Sequence, residues 1–146
     1  VLKCCIVEDI AHTRVAHTNI EIMQRLGMEV YISGPEQYND NSAKYLSIDE
    51  AIKTCDIVML LRVQFERHTQ GMSMSIEEYH QKYGLSVERM ERMPEKSIIM
   101  HPAPFNRGIE IADEVVECHK SRIYKQMTNG VYTRMAVISM VLEGKL

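Results

Sequence analysis

Residues 97–108 read SIIMHPAPFNRG, a short apolar run followed by a loop that holds two prolines. The run Ser97–Met100 predicts a buried strand, which must end at His101 because neither proline has an N–H to give to a sheet. In an open α/β sheet, ligands bind beside the loops that follow the carboxyl ends of the strands. The loop carries an imidazole, an amide and a guanidinium. We therefore expect it to form one wall of a ligand site.

Three further apolar runs predict buried strands. Their apolar residues are continuous rather than alternating, which is typical of parallel strands covered on both faces. The predicted strands are Leu2–Val7, Glu29–Ser33 and Asp56–Leu61, with a short extended piece at Tyr45–Ser47. Together with the first run they predict a mostly parallel sheet of four to five strands.

Helical patterns separate these strands. The predicted helices are Arg14–Leu26 with Thr13 as N-cap, Ile48–Thr54 with a Ser47/Glu50 capping box, about Ser75–Tyr83, about Ser86–Met93, a single turn at Asp113, and Ser121 to about Leu142 with an interruption at Asn129-Gly130. Strands that alternate with helices are typical of the α/β class. We therefore predict one doubly wound α/β domain with helices on both faces of the sheet.

The composition and the net charge of the chain argue against several kinds of partner and against a membrane span. The chain has 146 residues, 45% of them hydrophobic, and a formal net charge of −3. That charge does not favour a nucleic-acid partner or an anionic membrane. No apolar run approaches the ~20 residues of a membrane span, and the start lacks the basic n-region and the small-residue cleavage site of a signal peptide. A start without Met suggests a chain cut from something longer.

The cysteines are Cys4, Cys5, Cys55 and Cys118, without C-x-x-C spacing. We interpret them as buried free thiols of a cytoplasmic protein rather than as zinc ligands, because the histidines do not pair with them at ligand spacing.

Polar side chains follow three of the predicted strands, at positions that a doubly wound sheet brings to one edge. They are His12 and Arg14, then Arg62 and Gln64, then His101, Asn106 and Arg107. Three arginines at one edge would suit a ligand with two or more anionic groups, because a guanidinium binds a carboxylate as a two-pronged fork. Three of these residues also have a structural interpretation. Arg62 could form a salt bridge within the fold, and His12 and His101 could each support the site without contacting the ligand.

The sequence lacks the motifs that mark several common nucleotide-binding and catalytic sites. The residues after the first strand, Glu8 to Ala11, contain no G-x-G-x-x-G, and there is no P-loop. No Ser or Cys nucleophile has a neighbouring base. The sequence therefore predicts a site that positions a charged ligand rather than one that attacks it.

Three motifs carry a specific resemblance. Asp9–Ala16 resembles the D-I-x-H-S-R-V-A stretch of aspartate carbamoyltransferase catalytic chains. Met59–Arg67 resembles the M-x-L-R-x-Q-x-E-R motif of that family, and His101–Ile111 is similar to its H-P-x-P-x-N-R-G-V-E-I. Residues 129–131 and 134–137 are similar to its C-terminal helix. The motifs occur in the family's order and cover essentially the whole chain.

The resemblance implies an activity. The family transfers a carbamoyl group from carbamoyl phosphate to the amine of L-aspartate, giving N-carbamoyl-L-aspartate and phosphate in pyrimidine biosynthesis. It uses no metal or organic cofactor and forms homo-oligomers built on a catalytic trimer. By resemblance, Arg14 and Arg62 would hold the two aspartate carboxylates, with Gln64 assisting. The backbone of Ala103 and Pro104 would face the carbamoyl group, and the segment from Phe65 to about Ile76 would close over the substrates.

Only the second half of the family chain is matched. Nothing in residues 1–146 resembles the N-terminal domain, whose S-T-R-T loop supplies most of the carbamoyl phosphate site. We therefore expect an aspartate-binding domain that is inactive alone and needs a missing N-terminal domain or a partner chain. Without that domain, the apolar positions of the C-terminal helix would face water, so we predict an exposed apolar patch or self-association.

One departure from the family pattern concerns the site. Glu8 stands where the family usually has Gly, and its carboxylate could pair with Arg14 and weaken anion binding. Glu8 and the missing half favour a second interpretation, a non-catalytic ligand-binding or interaction module with this fold. An ornithine carbamoyltransferase domain is the third, although its H-C-L-P-type loop differs from the His101–Pro104 loop.

Overall fold

Five parallel strands form the sheet of this computed structural model, which describes residues 1–8, 10, 13–64 and 74–145. They are β1 (Lys3–Val7), β2 (Glu29–Ser33), β3 (Lys44–Tyr45), β4 (Ile57–Leu60) and β5 (Ile98–Met100). Their order across the sheet is β3-β2-β1-β4-β5, and every neighbouring pair is parallel. The predicted fold class is therefore confirmed.

Six α-helices connect the strands in the described residues. They are α1 (Arg14–Arg25), α2 (Ile48–Thr54), α3 (Ile76–Tyr83), α4 (Val87–Glu91), α5 (Asp113–Val116) and α6 (Ile123–Leu142). Both Ser47 and Ser75 cap their helices through complete capping boxes, with Glu50 and Glu78 as the reciprocal partners. None of the helices in the described part of the chain is long and apolar enough to cross a membrane.

The predicted interruption of the C-terminal helix is wrong. Helix α6 runs without a break through Asn129 and Gly130. A single Gly costs only ~1 kcal/mol in a helix interior, and the turns on both sides keep their hydrogen bonds. The expected closing loop from Phe65 to about Ile76 lies largely outside the described residues, as does His12.

The core has two layers, one on each face of the sheet. Side chains of β1 alternate between the layers, so that Cys5 packs on one face and Ile6 on the other. One layer includes Ile48, Ala51 and Ile52 of α2 and Val115 and Val116 of α5. The other includes Ala16 and Ile20 of α1. Helices therefore cover both faces, as predicted.

The four cysteines are free thiols, and three of them are buried. Burial is the main reason that the pKa of Cys4 rises to about 12, and the neighbouring Cys55 adds to the shift. A thiol in this state is a poor nucleophile and metal ligand. Cys4 therefore acts as a small apolar residue of the core.

Most of helix α6 projects away from the sheet. Only Ile123, at its first residue, is buried. Val131, Met135, Ile138 and Val141 are 52–61% exposed. This confirms the predicted exposed apolar patch, and an apolar surface of this kind is typical of an interface.

We expect the isolated chain to self-associate through α6. Its sedimentation coefficient should rise with concentration, because pairing of these helices removes apolar surface from water. A double variant, Met135→Lys with Ile138→Lys, should sediment as a monomer. Ile22→Lys is the matched control, since Ile22 is similarly exposed but lies on α1. A wild-type chain that remains monomeric at every concentration would contradict the expectation.

Candidate functional site

The order of the strands reverses between β1 and β4. The chain proceeds from β1 outward to β2 and β3, and then crosses back to place β4 and β5 on the other side of β1. Ligand sites of open α/β sheets lie at this switch point, outside the carboxyl ends of the strands. Glu8 follows β1 here and Leu61 follows β4. The topology alone therefore predicts a site beside these two residues.

A cavity of about 210 Å³ lies at this point. It is formed by the loops after β1, β4 and β5 and by the start of α1. Its lining residues are Glu8, Thr13, Val15, Leu61, Arg62, Gln64, His101, Pro102, Ala103 and Pro104. Four of the five residues expected in the substrate site, namely Arg62, Gln64, Ala103 and Pro104, are thus brought together.

The fifth, Arg14, is at the rim. It is the first residue of α1 and is exposed, while Thr13 and Val15 on either side of it line the cavity. Thr13 occupies the predicted N-cap position, but its side chain makes no capping hydrogen bond. Local sequence signals indicated a cap at Thr13, and only the packing of the three loops reveals that it faces the cavity.

Arg107 does not join the other two arginines, so the expected convergence of three is wrong. Its guanidinium forms a two-pronged ion pair with Glu117, at 2.5 and 3.2 Å. Tyr124 donates a hydrogen bond of 2.9 Å to the same carboxylate, which also raises the Tyr124 pKa. Arg107 is therefore a structural residue that ties the loop after β5 to α5 and α6.

The loop after β5 is fixed by its own polar groups. The His101 backbone N–H donates to Oε1 of Gln126 on α6, at 3.0 Å. The side-chain amide of Asn106 donates to the carbonyl of Val63, at 3.2 Å, and so links this loop to the one after β4. Ala103 has φ +59, in the left-handed region, and the Ala103–Pro104 peptide bond is cis. The cavity thus has a wall of fixed backbone groups.

The charges at the cavity are mixed. Arg62 contributes a guanidinium, and Glu8, which is only 2% exposed, contributes a carboxylic group. The guanidinium of the half-buried Arg62 suits an anionic ligand, whereas an ionised Glu8 would oppose one. Within the described residues no cluster of three or more His, Cys, Asp or Glu side chains could hold a metal ion.

Helix α1 is held in place at its amino-terminal end by an exposed contact between an imidazole and a carboxylate. Nε2 of His17 lies 2.5 Å from Oδ2 of Asp40, in the segment before β3. Partial burial raises the Asp40 pKa, but hydrogen bonds from His17 and Ser42 outweigh that effect, and the pKa falls to about 2. The pair therefore favours the position of α1 that places Thr13 and Val15 at the cavity.

Asp40 should make folding stability depend on pH. Because its folded pKa of about 2 lies below the ~3.9 of an unfolded aspartate, its contribution is present above pH ~4 and is lost as the pH falls towards 2. We expect urea unfolding to show a gap of about 1 kcal/mol between wild type and Asp40→Asn at pH 5, closing towards pH 2. Glu21→Gln, which removes an exposed ion pair with Arg25, is the control. A gap that does not change with pH would contradict the assignment.

Comparison with known proteins gives the family. Residues 1–141 match the family model described as the Asp/Orn binding domain of aspartate/ornithine carbamoyltransferase. A Trypanosoma cruzi aspartate transcarbamoylase in complex with phosphate is 19% identical with a TM-score of 0.79, covering 94% of this chain and 49% of that chain. For a Thermus thermophilus ornithine carbamoyltransferase the identity is 19% and the TM-score 0.76, covering 94% and 47%.

A Burkholderia thailandensis ornithine carbamoyltransferase is 18% identical with a TM-score of 0.77, covering 99% of this chain and 49% of that one. This chain therefore spans about half the length of these structures. At such identities the structures show only the shared fold. Both aspartate transcarbamoylases and ornithine carbamoyltransferases are among them. The family model covers nearly the whole chain, and so the protein belongs to the aspartate/ornithine carbamoyltransferase family, as its Asp/Orn binding domain.

Proposed function

We propose that this chain is the aspartate-binding half of an aspartate carbamoyltransferase. The complete site would transfer the carbamoyl group of carbamoyl phosphate to the amine of L-aspartate, giving N-carbamoyl-L-aspartate and phosphate for pyrimidine synthesis. The observation that carries the proposal is that Arg62, Gln64, Ala103 and Pro104 line one cavity at the switch point of the sheet.

Each group has a role in this proposal. Arg62 binds one aspartate carboxylate as a fork, and Gln64 supports it with its amide. Arg14, at the rim, binds the other carboxylate. The carbonyl groups of Ala103 and Pro104 hold the carbamoyl group beside the amine. Catalysis of this kind depends on orientation and on stabilising charge in the transition state, and it needs no nucleophile from the protein.

Aspartate is favoured over ornithine by the chemistry of the lining. A guanidinium beside an amide suits a second carboxylate, whereas the side chain of ornithine is a cation that Arg62 would repel. The loop sequence His101-Pro102-Ala103-Pro104 also lacks the cysteine of the H-C-L-P-type loop that ornithine enzymes carry.

The proposal includes a second half that holds carbamoyl phosphate. Residues 1–146 form the aspartate-binding domain, and an N-terminal domain or partner chain supplies the groups for the phosphate. We also propose that the complete protein is a homo-oligomer, as the family's catalytic trimer implies. The exposed apolar face of α6 is consistent with further contacts of this kind.

Complementation tests the function. The purified chain, with and without the carbamoyl phosphate-binding half of an aspartate transcarbamoylase, is supplied with carbamoyl phosphate and either aspartate or ornithine. We expect no turnover by the chain alone, and N-carbamoyl-aspartate from the mixture. A preference for ornithine would contradict the substrate assignment. Turnover by the chain alone would contradict the need for a second half.

The buried Glu8 supports the alternative, a ligand-binding or interaction module without catalysis. Its carboxylic group lines the same cavity as Arg62. Titration with aspartate and with a bisubstrate analogue separates the two functions, because the module would bind neither.

Glu8→Gln should raise the affinity of the chain for aspartate by about tenfold, or ~1.4 kcal/mol, because it removes a negative charge near the substrate carboxylates while keeping the volume. Calorimetric titration of both chains measures the change. Glu36→Gln serves as the control, since Glu36 is exposed and does not line this cavity. An unchanged or weaker affinity would show that Glu8 does not oppose the substrate.

A further inference from the structure

A buried carboxylate, that of Glu110, lies against the buried imidazole of His101, a residue that itself lines the cavity. His101 is 0% exposed and Glu110 is 2% exposed, and Nε2 of His101 lies 3.3 Å from Oε1 of Glu110. Glu110 is not among the residues that line the cavity. A buried carboxylate is costly unless it is paired and hydrogen-bonded, so its presence at this point needs an explanation.

The hydrogen bond of Ala103 determines where the hydrogen of the His101 ring lies. The Ala103 backbone N–H donates to Nδ1 of His101, at 3.0 Å. A ring nitrogen that accepts a hydrogen bond carries no hydrogen, so the ring hydrogen is on Nε2. Nε2–H faces Glu110. The contact does not meet hydrogen-bond geometry, and among the described residues Nε2 of His101 and Oε2 of Glu110 are both buried without a hydrogen-bond partner. The carboxylate therefore favours the hydrogen on Nε2 through its charge rather than as a hydrogen-bond acceptor.

Glu110 also holds the far end of the loop. Its Oε1 accepts the backbone N–H of Asn106, at 2.6 Å, and the side chain of Asn106 in turn reaches the carbonyl of Val63. The backbone of Glu110 is itself fixed, because its carbonyl accepts the N–H of Leu85 at 2.9 Å. One carboxylate therefore contacts both ends of the loop that carries Ala103 and Pro104.

We propose that Glu110 is a positioning residue for the substrate site. Its carboxylate, 3.3 Å from Nε2 of His101, favours the tautomer with the hydrogen on that nitrogen. Nδ1 then accepts the N–H of Ala103, and this sets the direction of the Ala103–Pro104 backbone at the cavity. Glu110 touches no ligand in this arrangement and acts only through His101 and Asn106. The consequence for the carbamoyl group rests on the proposed function, whereas the arrangement of the ring does not.

Ring-nitrogen NMR tests the arrangement in the chain itself. In a ¹⁵N-labelled wild-type chain, long-range ¹H–¹⁵N spectra should show His101 with its hydrogen on Nε2. Glu110→Gln keeps the shape and one oxygen, and it should keep this tautomer with an upfield shift of the Nε2 proton, since the amide lacks the charge that faces this proton. Glu110→Leu should add the second tautomer and speed exchange of the Ala103 amide about tenfold or more.

The control is Asp49→Asn, which also changes an acid to an amide but breaks ion pairs with Arg89 and Arg92 between α2 and α4. It should lower stability and leave the His101 signals unchanged. In the complemented enzyme, Glu110→Leu should lower kcat about tenfold or more while the KM for aspartate changes less than about threefold.

Three results would overturn the proposal: a wild-type ring with its hydrogen on Nδ1, a Glu110→Gln spectrum identical to wild type, or equal changes in Glu110→Leu and Asp49→Asn. The first two stand even if Glu110→Leu does not fold. A correct tautomer without carbamoyl transfer would instead count against the proposed function alone.

Discussion

Replacing Arg62 with alanine is expected to lower kcat/KM for the carbamoylation of aspartate by 10²–10³-fold, or about 3–4 kcal/mol, in the complemented enzyme. Arg62 lies directly after β4 and lines the cavity at the point where the sheet reverses its order. Its guanidinium can bind a carboxylate with two parallel hydrogen bonds, and alanine removes both the charge and the bonds.

Two further variants make the Arg62 result specific. Arg62→Lys should lose less activity than Arg62→Ala, because it keeps the charge and loses only the fork geometry. Arg25→Ala should retain full activity, since Arg25 is exposed on the last turn of α1 and pairs only with Glu21 among the described contacts. Thermal melts show whether each variant is folded. A loss of less than tenfold for a folded Arg62→Ala would remove Arg62 from the substrate site.

Gly34→Ala is expected to have the largest effect on stability, at least about 3 kcal/mol. Gly34 has φ +137, and a Cβ built there would lie 2.3 Å from the carbonyl oxygen of Glu8. The unfavourable φ and a clash with backbone, which cannot rotate away, each cost about 1–3 kcal/mol. Because the clash falls on Glu8, the first residue after β1, the variant should also distort the cavity.

Gly27→Ala is the matched control for that experiment. Gly27 also has positive φ, at +80, but a Cβ there meets nothing within 4 Å. It should therefore cost only the ~1–2 kcal/mol of the backbone conformation. Urea unfolding of both variants measures the difference. Equal costs would mean that the close approach of Gly34 to Glu8 is not part of the folded state.

The sequence alone was a good guide to the secondary structure of the described residues. Apolar runs between turn residues placed each strand to within two residues, and the serine caps marked the starts of α2 and α3. These signals are local, because a strand covered on both faces or a capped helix start depends on residues that are close in sequence. The family could be predicted from motifs for the same reason.

The site was predictable in outline. Residues after the carboxyl ends of parallel strands must meet at one edge, and Arg62, Gln64, Ala103 and Pro104 do so. The sequence could not show which way each side chain points at that edge. Arg107 belongs to the same group by position, but a carboxylate ten residues further along the chain pairs with it.

What the sequence by itself determined is the α/β fold, the order of its elements and the loops that carry the site. Only the tertiary structure decided the partners: Arg107 with Glu117, Thr13 facing the cavity, and Glu110 behind His101. The physical reason is the range of the interactions along the sequence. Element formation follows local periodicity and capping, whereas a buried polar group takes the partner that the packed chain brings within about 3 Å, and sequence separation does not reveal that distance.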